Sequence, residues 1–464
     1  MPAGSAGSAL AMLERGAERR ASGDSVAARE AFLEAARLAR AEGDPTLLAE
    51  AALGHGEGSG GLHRGVRYDL QQISLLEEAL AALPQGDSAL RVRLFARLAE
   101  ELAFTPEQSA RSSLAAEAVA MAGRLGDRRV LLAARYSQEL CRVGPDLPVE
   151  ERLASTRDLV DLAAEVGDVE AEYLAHMLRE LAFVEAGRMQ EAACELEAAT
   201  RLADRLPVPA LRAWALSGAS RQAWLRGSFA EAERLNGEAL ERALQQGGEP
   251  DTAQLVVGGQ LLAQQLLRAP VGQFAPVLQE YRVLHPHMPV LTCFLAYALA
   301  EGGDLQAART LLDELAEDGL VEMPRTTEWG TAMWALARCA AMLEDVELGA
   351  LVQAQLARSS GRWFADWAST CLGPVDTTLA VLAALRQRWD EAERLFQQAV
   401  LQAREARCPP WAAEAQVRLA ESLLRKGDPQ DRPLARQLLD EAVGTCRALG
   451  LGRLGEHARA LLVP

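Results

Sequence analysis

Gly227-Ser-Phe-Ala-Glu-Ala-Glu-Arg-Leu-Asn-Gly-Glu-Ala239 is the stretch on which the fold turns. Its frame is a glycine, an alanine five residues on, a larger residue four further and an alanine three beyond that: Gly227, Ala232, Asn236, Ala239. The frame recurs as Gly23, Ala28, Phe32, Ala35 and as Gly187, Ala192, Leu196, Ala199. It returns with a leucine in the last slot as Gly303, Ala308, Leu312, Leu315. Without its glycine it recurs as Ala392, Phe396, Ala399 and as Ala435, Leu439, Ala442. The last three slots share one helical face, and small residues there let a second helix press close. The glycine ends the helix before.

Ala192 to Ala232 is 40 residues and Ala392 to Ala435 is 43; the wider gaps of 76 and 84 between Ala232, Ala308 and Ala392 are near doublings. A period of 38–42 follows, longer than the about 34 of a strict tetratricopeptide repeat. About eleven or twelve helix pairs are expected. The expected fold is all-α: a right-handed superhelix, or solenoid, of tetratricopeptide-like helix-turn-helix repeats forming one array over residues 1–464. No stretch alternates with period two, so no sheet is expected. Helix stops pair with caps at Glu42-Gly43-Asp44-Pro45, Gly126-Asp127 and Gly167-Asp168. Residues 54–66 are the one low-complexity break and read as a Gly-rich loop.

Apolar residues make up 49% of the 464 and aromatics 5%, with net charge −17. That charge supplies no basic stripe for duplex nucleic acid. It favours a basic or neutral protein or a cationic small molecule, and it also serves solubility. Lys426 is the only lysine, a usage that fits a GC-rich genome. Seven scattered cysteines without a C-x-x-C pair read as buried thiols of a reducing compartment. No signal peptide and no membrane span is visible, so the expected location is cytoplasmic.

Few residues propose chemistry. Gly56-x-Gly58-x-x-Gly61 matches a dinucleotide fingerprint in letters, but a helix precedes it where a strand is needed. His285-Pro-His287 reads as a turn, not a metal site. Cys371 reads as helix packing before a turn. Adjacent acids at Glu77-Glu78, Glu100-Glu101 and Glu150-Glu151 diverge on a helix and read as solvated faces. No cofactor and no metal is expected. The eight tryptophans are confined to residues 214–411. In Arg362-Trp-Phe-Ala-Asp-Trp367 a helical reading places Trp363 with Trp367, and Arg362 with Asp366, on shared faces. One tryptophan per repeat suits the core. Those that line a concave surface would form an aromatic, charged groove. The candidate ligand or partner residues are Trp214, Arg221, Trp224, Arg325, Glu328, Trp329, Arg362, Trp363, Asp366 and Trp367, with Arg212 beside them.

Several stretches together resemble a known family. They are Leu76-Glu-Glu-Ala-Leu-Ala-Ala-Leu-Pro84, Ala116-Glu-Ala-Val-Ala120, Arg124-Leu-Gly-Asp127, the stretch opening at Gly227, Pro324-Arg325 with Trp329, Arg388-Trp-Asp-Glu-Ala392 and Pro410-Trp-Ala-Ala413. They resemble the C-terminal helical-repeat region of large actinobacterial-type ATP-binding regulators of the LuxR or cyclase-associated kind. That region is similar to the sugar-sensing repeat domain of the maltose regulator. The resemblance spans roughly residues 10–450 and implies a repeat fold and a regulatory role. It does not bring ATPase or DNA-binding activity, since no phosphate loop G-x-x-x-x-G-K-[ST] and no helix-turn-helix tail is present. Thr326 also stands where relatives tend to carry Asp. The expectation is a sensor or interaction part standing alone. It would be a non-enzymatic scaffold, binding a protein segment or small molecule on its concave face. The alternatives are a cryptic enzyme, a cyclase or transferase with an acid/base pocket in the groove, and a relic of a regulator that retains only docking.

Overall fold

The computed structural model describes residues 8–463 except 23, 57–68, 103–107, 145–146, 207, 245–249, 318–322, 324, 326–327 and 367–369. In order come α1 (Ala9–Ala21), α2 (Ser25–Glu42), α3 (Pro45–Gly56), α4 (Leu70–Ala82), α5 (Ala89–Glu101), α6 (Gln108–Leu125) and α7 (Arg128–Cys141). Next are α8 (Val149–Val166), α9 (Val169–Glu185), α10 (Met189–Ala203), α11 (Pro209–Leu225), α12 (Phe229–Leu244) and α13 (Pro250–Gln265). α14 (Ala275–Leu284), α15 (Pro289–Glu301), α16 (Leu305–Glu317), α17 (Trp329–Met342) and α18 (Val346–Leu356) follow. Two short strands, β1 (Trp363–Ala365) and β2 (Cys371–Pro374), precede α19 (Val375–Leu385), α20 (Trp389–Glu405), α21 (Pro409–Lys426), α22 (Arg432–Leu449) and α23 (Gly452–Leu462). The chain is an all-α solenoid of tetratricopeptide-like helix pairs.

The repeated phrase lies on the even-numbered helices α2, α10, α12, α16, α20 and α22, and every one of its helical slots is buried. Gly187, Gly227 and Gly303 adopt left-handed φ of 73°, 87° and 91°, ending the helix before. Phe32 shows how tight the packing is. A Cβ on Gly16 or Gly54 would lie 2.8 or 2.3 Å from its ring, so α1 and α3 close on it only through glycine.

Most odd-numbered helices, such as α5 with α7 and α15 with α17, pack on their next-but-one neighbours, while the even ones stand further apart. The odd row is therefore the inside of the curve. Among these inner helices α9, α15, α17, α19 and α21 are buried nearly all round, as in the unbroken runs Leu291–Ala298, Thr331–Ala340 and Pro410–Val417. The outer helices bury only a stripe of three- and four-residue spacing, as in Ala392, Leu395, Phe396, Ala399 and Ala403 of α20. A helix apolar on every side needs a neighbour on every side. Here the array curls until its end meets its middle. The rings of Trp224 (α11) and Trp411 (α21) meet edge to face at 6.0 Å. Leu449 lies where a Cβ on Gly227 would be, at 2.8 Å. Backbone N–H groups of Arg453 and Leu454 donate to the carbonyls of Arg268 and Leu267, each at 3.1 Å. One core runs through this ring from Leu153 to Ala458. α1–α5 have a separate core, from Ala9 to Leu102.

Three expectations are corrected. A sheet is present: β1 and β2 pair antiparallel with an irregularity between Trp363 and Ala365. The strands are three and four residues long and buried on both faces, so no alternation marks them. Trp363 thus lies in a strand, Arg362 and Asp366 flank that strand rather than sharing a helical face, and Cys371 lies in the second strand. The Gly-rich break begins later than position 54, because α3 runs through Gly56 with His55 buried against Gln72. Residues 57–66 of that loop lie outside the described residues. Finally, Glu100 and Glu101 are not a solvated pair: their side chains are 14% and 4% exposed.

Candidate functional site

The hairpin fills the inside of the ring, with β1 against α9 and α17 and β2 against α19 and α20. Arg362, just before β1, donates to Glu185 Oε1 at 3.1 Å and to the carbonyl of Leu147 at 2.5 Å. Glu185 also accepts from the buried Arg152 of α8. The Trp363 indole lies over Gly187, where a Cβ would come within 2.6 Å of its Nε1. Phe364 packs on Gly330 in the same manner, at 3.3 Å. Asp366 accepts from the Thr331 hydroxyl at 2.9 Å, from the Thr370 N–H at 3.0 Å and from the Thr370 hydroxyl. One and a half turns from Glu185 on α9, Glu180 pairs with Arg221 of α11, both under 3% exposed. Three carboxylates and three guanidiniums (Glu180, Glu185, Asp366; Arg152, Arg221, Arg362) thus make a neutral set around the hairpin. Buried charges persist only when matched in this way.

Past the hairpin, Arg338 of α17 donates to Glu414 of α21 at 2.5 Å, and its guanidinium lies 4.9 Å from the Trp334 ring. Burial pulls the Arg338 pKa below its ordinary value, against the opposing pull of Glu414. The indole N–H groups of Trp224, Trp334 and Trp411 are buried with no hydrogen-bond acceptor among the described residues. Gly373 abuts Trp411, where a Cβ would come within 2.6 Å of the ring.

The expected site residues are therefore distributed as follows. Arg221, Arg362 and Asp366 come together in the charged set around the hairpin. Trp214, Trp224, Trp329 and Trp363 are 8%, 1%, 4% and 3% exposed and belong to the core. Arg325 is half-buried over Trp329, with its guanidinium carbon 5.1 Å from the ring, and donates to Gln355 at 3.0 Å. Glu328 is half-buried at the start of α17. Trp367 lies outside the described residues. Glu180, Glu185, Arg152, Arg338 and Glu414 also take part, although the sequence pattern does not single most of them out. Arg338 carried a signal, as the only charge in the otherwise apolar run Trp329–Met342.

Burial pushes the Cys371 and Cys339 thiols up to about 12, so neither presents a thiolate near neutral pH. Glu100 of α5 differs from the other acids. Burial lifts it to about 7, although Arg97 pulls it down. Arg97 gives its closer bonds to Glu101 and stands 3.4 Å from Glu100. Among the described residues no group of three metal-binding side chains forms, and no helix is long and apolar enough to cross a membrane.

No family model matches the chain, and no curated protein matches it. Two of the solved structures with partial likeness illustrate its extent. One is a signal transduction ATPase with numerous domains that carries a tetratricopeptide repeat sensor, from Pyrococcus horikoshii, at 15% identity and a TM-score of 0.42. The match covers 68% of this chain and 50% of that protein, so this chain spans about half its length. The other is a circular tandem repeat protein with a novel repeat topology, at 17% identity and a TM-score of 0.15, covering 98% of this chain and 93% of the other. At these values the likeness adds nothing to the helix pairing already described.

Proposed function

We propose that the protein is a non-enzymatic, regulatory scaffold that recognises a polypeptide segment or small molecule on the inner surface of its helical array. The supporting observation is the grip on residues 362–366. Inner helices hold that extended segment through a carboxylate, a hydroxyl and glycine shelves, each matched to one side chain. Solenoids offer such surfaces because their inner helices form a long rigid wall. The test is native mass spectrometry of the protein purified gently from its own cells. A retained chain or metabolite supports the scaffold. An empty protein that also ignores a metabolite thermal-shift panel overturns its ligand-sensing form.

A second reading, an enzyme, draws on Glu100. A carboxyl that titrates near 7 is suited to proton transfer. Turnover of any substrate that is lost in Glu100→Gln, with the fold intact, would favour it.

A further inference from the structure

We infer that α17 and α21 together bind a free α-amino acid: its carboxylate meets the Trp334 indole and the guanidiniums of Arg338 and Arg418, and its ammonium meets Glu414. As a ligand for the inner helices, it rests on the scaffold reading above.

Helical spacing sets the place. Trp334 and Arg338 stand four apart on α17, and Glu414 and Arg418 four apart on α21, so each pair shares a face. The two faces meet where Arg338 donates to Glu414 Oε1. Tyr297 of α15 closes a third side, its ring edge to face with Trp334 at 5.4 Å. Burial is graded across these groups. Trp334 and Glu414 are each 2% exposed, whereas the Arg418 side chain is 26% exposed. Arg418 therefore marks the solvent side. There it donates to Glu421 at 2.9 Å, and Glu421 stands 3.3 Å from the His457 ring.

Four polar atoms of this set have no hydrogen-bond partner among the described residues: Trp334 Nε1, Arg338 Nε, Arg418 Nε and Glu414 Oε2. Arg418 Nε stands 4.0 Å from Glu414 Oε1, beyond bonding reach. Native interiors satisfy nearly all such groups, so a cluster of them points to a bound molecule. The balance of donors and acceptors selects its chemistry. Three N–H donors, two of them on guanidiniums, match an oxyanion. A lone oxyanion would also face the open Glu414 oxygen, and a lone ammonium would face two guanidiniums; each meets a like charge. A zwitterion answers both ends. It also leaves intact a balance already struck, Arg338 and Arg418 against Glu414 and Glu421, because it brings no net charge.

The probes are the standard protein amino acids, added singly to the full chain in a thermal-shift series and then followed by calorimetry. At least one should raise the thermal midpoint saturably. Its N-acetyl form, which lacks the ammonium, and its amide, which lacks the carboxylate, should each bind roughly tenfold more weakly or worse. Trp334→Phe removes one N–H with little change of shape and should also weaken binding roughly tenfold. Trp389→Phe, at the start of the outer helix α20, should leave binding unchanged. Arg418→Gln, on the solvent side, serves in place of Trp334→Phe if that variant fails to fold. No saturable shift with any of the amino acids overturns the assignment. Equal binding of the N-acetyl form or the amide overturns it too. So does inorganic phosphate or methylammonium that binds as tightly as the amino acid, since the site would then take a simple ion. A negative series beside native mass spectrometry that retains another molecule would remove this site and leave the scaffold reading standing.

Discussion

Gln387 ends α19 with φ 57°, and Glu344 ends α17 with φ 52°, at the positions where α9, α11 and α15 are followed by Gly187, Gly227 and Gly303. Only glycine adopts that conformation without a Cβ penalty. Gln387→Gly should therefore raise stability by about 1 kcal/mol, read as a higher thermal midpoint. Gly187→Ala should do the reverse, and more strongly, because it meets both the positive φ and the Trp363 indole. A loss of about 2 kcal/mol or more in urea unfolding is expected. Glu100 carries a sign that depends on pH. Its folded pKa, about 7, stands above its ordinary 4.5. The folded chain therefore holds a proton that the unfolded chain gives up, and stability falls as pH rises from about 4.5 to 7. Glu100→Gln should match the parent near pH 4 and exceed it at pH 8, by up to about 3 kcal/mol given the slope of 1.4 kcal/mol per unit. Denaturant unfolding at the two pH values checks this.

The outer helices were legible because each carries one buried stripe and one wet face, and Ala232, Asn236 and Ala239 announce it. The inner helices gave less away. Trp329–Met342 is buried on nearly all sides, and no period tells which residue faces the axis. The hairpin gave nothing, since Trp363-Phe-Ala and Cys371-Leu-Gly-Pro are too short to alternate and are buried on both faces. Half of the candidate site followed from that. Arg362 and Asp366 were named for a helical pairing they do not have, yet both belong to the charged set. Glu180 and Glu185 could not be told from ordinary helix-surface acids until the hairpin was seen against them. The Arg338–Glu414 pair between α17 and α21 tests how such charges are held. Arg338→Met alone leaves Glu414 buried without its guanidinium and should cost about 3–5 kcal/mol. Arg338→Met with Glu414→Leu removes both charges and should recover most of that loss, as a double-mutant cycle in urea would show.

The molecule as a whole is an open stretch joined to a closed one. The core of α1–α5 spans Ala9–Leu102, whereas the ring has its own core and a seam that makes distant repeats depend on one another. Open repeats unfold piecemeal; a closed ring should unfold as a unit. All eight tryptophans lie within residues 214–411, so fluorescence is blind to the open stretch while far-UV circular dichroism sees both. The two probes should give different urea transitions, with the dichroism transition beginning at lower urea. Coincident curves would mean that the array is one cooperative body.

The position of the hairpin along the chain also bears on how the protein is made. Synthesis delivers α9 well before the hairpin that packs on it, and the hairpin well before the α22 and α23 residues that meet the middle of the array. Through that interval the inner helices carry bare apolar faces and unmatched carboxylates, the surfaces by which nascent chains stick to one another. A message that breaks off before codon 362 would leave its product in that sticky state for good. Hairpin and scaffold therefore mature together, and a chain broken off before the hairpin is fit only for chaperone or protease.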